Sequence, residues 1–94
     1  MGLPSTHSPS RDPRDPQLHE LEVLRLDGRT VSLVLALRRA EDGAWRGRLR
    51  FLEVEGGAER ETAEIFCGAT EDDIWRALQG LREHHVRDLY RSLA

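Results

Sequence analysis

Few residues of this 94-residue chain have the types and spacings that do covalent chemistry. The single cysteine, Cys67, stands just before Thr70-Glu71-Asp72-Asp73, which reads as a helix start where a thiolate gains from the helix dipole. A phosphate-binding loop built on that cysteine would need an arginine at the position Asp73 occupies. With Ile65 and Phe66 before it, Cys67 is instead expected to be a small core residue. His84 and His85 are adjacent, about 100° apart on a helix, so they cannot share a metal in the usual i, i+4 manner. His85 is expected on the buried stripe of that helix, His84 in solvent, and His19 on the inner side of the first strand. The chain contains no Lys, which excludes a Walker loop, and neither Gly-x-Gly-x-x-Gly nor His-Glu-x-x-His occurs. One cysteine closes no internal disulfide and builds no multi-cysteine metal knuckle. No acid, base and nucleophile converge in a cleft that this pattern can build. A non-enzymatic protein without cofactor or metal is expected.

The residue types left are those that bind rather than react. All 14 basic side chains are Arg, the side chain that grips carboxylate and phosphate bidentately. Arg38, Arg46 and Arg48 gather beside Trp45, an arrangement suited to an anion or to single-stranded nucleic acid, with Trp45 and Phe66 as stacking platforms. Against this stand 17 acidic residues and a net charge of −3, which oppose a general electrostatic hold on a phosphate backbone. Glu41, Asp42, Glu71, Asp72 and Asp73 are placed to neutralise the cluster, and Arg50 is expected to pair with Glu64.

These positions depend on the elements beneath them. Leu, Ile, Val and Phe number 23 of 94, enough to build a core, and no apolar run is long enough to span a bilayer. All four Pro residues fall in the first sixteen positions among several Ser, so 1–17 reads as a disordered arm without a secretory signal. From Leu18 onward, period-two stretches alternate with the turn signals Asp27-Gly28, Glu41-Asp42-Gly43 and Gly56-Gly57. They predict strands over about 19–26, 30–39, 44–54 and 61–67 in meander order. Thr70 and Asp73 form a capping box, and Ile74, Leu78, Leu81, His85, Leu89 and Leu93 recur at helical spacing. One helix of about 20 residues is therefore expected along the sheet. The fold class is α+β: a four-stranded antiparallel sheet with one C-terminal helix on one face, forming a single domain over 18–94. Four strands followed by a helix is an order that resembles single-stranded-DNA-binding transcription cofactors, in topology alone.

Pairing the strands assigns the faces. With Gly43 in a three-residue hairpin loop, the partners in strands two and three sum to 84, so Leu33 faces Phe51 and Leu35 faces Leu49. A sum of 56 for the first hairpin and 114 for the last puts Leu21, Val23, Ala63, Ile65 and Cys67 beneath the helix. The other face should be polar in a monomer. It instead carries Leu24, Leu26, Leu52, Val54 and Phe66, an apolar patch of the kind that marks an interface. A one-residue slip of the first strand would turn Leu24 and Leu26 inward. The sequence thus points to a cytoplasmic, bacterial, homodimeric interaction or regulatory module that meets its own copy or another protein through the open sheet face, without membrane attachment. A nucleic-acid binder using Arg38, Arg46, Arg48 and Trp45 is the alternative.

Overall fold

In the computed structural model, residues 16–93 are described. The expected arm lies outside them except for Pro16 and Gln17, and Gln17 already belongs to the first strand. Five strands form one antiparallel sheet: β1 (Gln17–Leu26), β2 (Arg29–Arg39), β3 (Trp45–Glu53), β4 (Glu59–Glu61) and β5 (Phe66–Gly68). Two helices follow, α1 (Glu71–Gln79) and α2 (Glu83–Ser92). The class is α+β with a meander sheet, β4 and β5 both pairing with β3.

The β2–β3 register is the expected one, with Leu33 opposite Phe51, Leu35 opposite Leu49 and Gly43 at φ +86° in the connecting turn. Val31, Leu33, Leu35, Leu37, Leu49 and Phe51 form the buried layer that Ile74, Val86 and Tyr90 cover from the helices. Gly47 belongs to this layer, and a Cβ there would stand 3.2 Å from Ile74 Cγ2 and 3.3 Å from Leu35 Cδ1. Its missing side chain is what brings α1 close to β3.

The first hairpin corrects the expected register. Asp27 and Gly28 take φ of +51° and +80°, the paired left-handed conformation of a two-residue turn whose twist suits flanking strands. Leu26 therefore pairs with Arg29, which moves the register by one residue. Leu26 becomes fully buried, Leu24 packs against the core, and Val23 turns outward at 63 % exposure. A bulge between Glu20 and Glu22 absorbs one residue, so His19 faces inward and Leu18 outward.

The fourth strand is interrupted. The Leu49 N–H donates to Thr62 Oγ1 at 3.0 Å and the Thr62 N–H to the Leu49 carbonyl at 2.9 Å, so a buried threonine satisfies β3 with its side chain. The chain then runs without ladder pairing to Phe66, which lies opposite Gly47. Phe66 is buried, whereas Ala63, Ile65 and Cys67 are exposed, the reverse of the expected sides.

The expected single helix is two. The capping box at its start is present: the Thr70 hydroxyl accepts from the Asp73 N–H, and the Asp73 carboxylate accepts from the Thr70 N–H at 3.1 Å. Gly80 ends α1, as its low helix propensity favours, and Arg82 is extended. The Arg82 N–H then donates to His85 Nδ1 at 3.2 Å. His85 is therefore an exposed capping residue, not part of the buried stripe.

Candidate functional site

Both helices lie on one side of the sheet, so its other side is built only from outward strand positions. The registers order these into rows. Leu18, Ala36 and Arg48 form one. Glu20, Val34, Arg50 and Glu61 form the next. Val23, Ser32, Leu52 and Glu59 form the third, and beyond them the Val54 N–H donates to the Thr30 carbonyl at 2.9 Å. At the opposite end Arg38, Arg46 and Cys67 lie side by side.

Two chemical zones result. Leu18, Val23, Leu52 and Val54 are exposed by 56, 63, 41 and 57 %, around the partly covered Val34 and the buried Ala36. Along β3 and its neighbours the charges are already paired. Arg38 Nε and Nη2 grip Glu64, the second at 2.8 Å. Arg48 reaches Glu61 at 3.2 Å and Glu64 at 3.4 Å, Arg50 holds Glu61 at 2.5 Å and Glu59 at 3.7 Å, and Arg46 lies 3.5 Å from Asp42. The Arg38 hydrogen bond outweighs partial burial and holds the Glu64 carboxyl below its ordinary range. Burial raises Glu61, but Arg50 and Arg48 together bring it below its ordinary value.

Of the anticipated anion cluster, Arg38, Arg46 and Arg48 do share this face, with Arg38 directly opposite Arg46. The acids between them are Glu64, Glu61 and Asp42, and Arg50 takes Glu61 and Glu59 where Glu64 was expected. Trp45 does not join the cluster; it is half-buried on the helix side against the core. Of the anticipated interface, Leu52 and Val54 lie on the open face, while Leu24, Leu26 and Phe66 belong to the other side. Leu18 and Val23 take their places. The signal for Val23 was the Asp27-Gly28 pair, whose two-residue turn fixes the register.

On the helix side, buried Glu53 collects several donors. The Tyr90 hydroxyl donates to Glu53 Oε2 at 2.7 Å, Arg29 Nη1 donates at 3.0 Å, and Arg60 Nη2 lies 3.6 Å away. Arg60 also lies 4.3 Å over the Tyr90 ring and donates to the Tyr90 carbonyl at 3.3 Å. The Tyr90 hydrogen bond, foremost, holds the Glu53 carboxyl below its ordinary value, and burial pushes the Tyr90 phenol up. An acid at an inward strand position was the legible sign of such a network. Its partners, far apart in sequence, were not.

Among the described residues, no group of three or more His, Cys, Asp or Glu is placed to hold a metal, and no helix is long and apolar enough to cross a membrane. His19 packs edge-on against Trp75 at 5.2 Å with Nε2 unpartnered. No protein-family model, curated protein or solved structure matches the chain.

Proposed function

We propose that the chain is a non-enzymatic interaction module that docks a protein surface through the open face of its sheet. The observation carrying this reading is that Leu18, Val23, Leu52 and Val54 stand exposed, by 41 to 63 %, on the side no helix covers. Contiguous apolar patches of a few hundred Å² on soluble domains commonly mark contact sites. Removing a whole side chain of this size from water contributes about 1.5–3 kcal/mol. The neighbouring Arg–Glu ladder gives the patch a polar rim whose charges are internally balanced, which suits a protein surface better than a phosphate backbone.

The face is a better docking surface than the sheet edge. β1 is a long edge strand, but its bulge and the exposed Glu22, whose pairing partner is the inward Leu33, obstruct strand addition. A second copy of the chain is one protein surface the face can take. The exposed free thiol of Cys67 suits a reducing compartment, and we assign the module to the cytoplasm on that basis.

A photo-cross-linking residue at Leu52 in the full chain tests the reading. Adducts are expected from Leu52 and not from Arg76 on α1, and Val23→Glu should suppress them. Equal yields at the two positions, or none at Leu52, overturn the proposal.

A further inference from the structure

Resting on that docking reading, we propose that the occupant of the open face is a second copy of this chain, packed face to face about a two-fold axis along β2. The rows of the sheet carry the argument. On either side of β2, Glu20 on β1 matches Arg50 on β3 across Val34, and Val23 on β1 matches Leu52 on β3 across Ser32. A two-fold parallel to β2, midway between the sheets, lays each β2 over its counterpart and each β1 over the partner's β3. Glu20 then meets the partner's Arg50, and Val23 meets the partner's Leu52. Symmetry repeats each contact. Val34 and Ala36 pack on themselves at the axis, and Leu18 covers the stem of the partner's Arg48. The face is thus complementary to itself at the Glu20–Arg50 charge positions and the Val23–Leu52 apolar positions, as an isologous interface requires.

Glu20 is exposed and has no ion-pair partner among the described residues, although it shares a row with Arg50. Arg50 lies two strands away, about 10 Å at ordinary strand spacing, and within one copy it turns to Glu61 and Glu59 on the other side, leaving Glu20 unengaged. A second sheet stacked at about 10 Å brings a carboxylate and a guanidinium projecting toward each other within reach. Sheets packed this way cross at about 30°, which a two-fold along the mean β2 direction accommodates. The positions involved span three strands and about four rows, on the order of 600 Å² per copy with side chains included, at the low end of specific interfaces. Association in the micromolar range is expected.

Sedimentation equilibrium of the full chain from about 1 to 500 µM should show a reversible dimer. Glu20→Arg sets an arginine against the partner's Arg50 and should weaken the dimer about tenfold or more, most strongly at low salt. Glu22→Arg, across the bulge, should leave it unchanged. With Cys67→Ser in the background, a spin label on Ser32→Cys should report a self-distance within about 20 Å, because sheets stack about 10 Å apart. A label on Gln79→Cys, behind the helices, should report a much longer one. A dimer that Glu20→Arg and Glu22→Arg affect equally, or a long Ser32 distance, overturns this arrangement. A monomer throughout, with Leu52 still cross-linking to a different protein, overturns the second copy and leaves the docking reading intact. A monomer with no Leu52 adduct overturns both.

Discussion

Removing the Tyr90 hydroxyl tests how the two layers are joined. The hydroxyl is buried and donates to the Glu53 carboxylate at 2.7 Å, while the ring packs edge-on against Phe51 at 5.4 Å. Tyr90→Phe keeps the ring and deletes a hydrogen bond to an ionised acceptor, which costs about 1.5–3 kcal/mol. For a domain of this size each kcal/mol lowers Tm by roughly 4–8 °C, so a fall of about 6–24 °C is expected at neutral pH. The effect must depend on pH. Glu53 is held below its unfolded value, so its contribution is complete above the unfolded pKa and is lost as pH falls through the folded one. Tyr90→Phe removes the largest cause of that lowering, so the folded value in the variant rises. Between the variant's folded pKa and the lower wild-type one, the stability gap should shrink. Below both, only a neutral hydrogen bond separates the proteins, about 0.5–1.5 kcal/mol. Urea and thermal unfolding from about pH 7 to 3 measure this. A Tm change below about 3 °C at neutral pH, or a gap that stays constant with pH, would refute the reasoning.

Leu26→Ala should destabilise by about 2–5 kcal/mol because Leu26 is fully buried, whereas Val23→Ala should change monomer stability by less than about 0.5 kcal/mol; urea titrations in dilute solution would show the order. Gly47→Val should cost more than about 2 kcal/mol, since even a Cβ meets Ile74 at 3.2 Å, and amide exchange should show α1 opening first. Glu64→Gln should release Arg38 and Arg48, cost about 1 kcal/mol, and give a salt-dependent gel shift with single-stranded DNA that wild type lacks. A wild-type shift as strong as the variant's would show that the paired arginines remain available to phosphate. His85→Ala should fray the start of α2, lowering helicity by circular dichroism with a loss of about 0.5–1 kcal/mol.

Several local rules written in the chain held where the relevant partners are close in sequence. The Thr70–Asp73 capping box, the left-handed Gly43 and the β2–β3 register each follow from a few neighbouring residues, and all three are present. The Asp27-Gly28 pair marked the first hairpin, but the expected register was one residue off; only as a two-residue turn with both residues at positive φ does it assign Leu26 inward and Val23 outward. What the chain alone left open was decided by contacts between distant segments. The Thr62 hydroxyl, thirteen residues away, accepts the Leu49 N–H in place of a ladder carbonyl; the strand is interrupted there, and Phe66 and Cys67 resume on reversed sides. Gly80 permits a break in the helix, but a glycine can also be tolerated within one; His85 capping Arg82 and the packing of Val86 and Tyr90 on the sheet select the break. The open face follows the same division. Leu52 belongs to it by alternation along one strand, whereas its neighbours Leu18 and Val23 are set by a bulge and a hairpin register. A period-two pattern fixes which residues share a side, and only pairing with other strands decides which side meets the core.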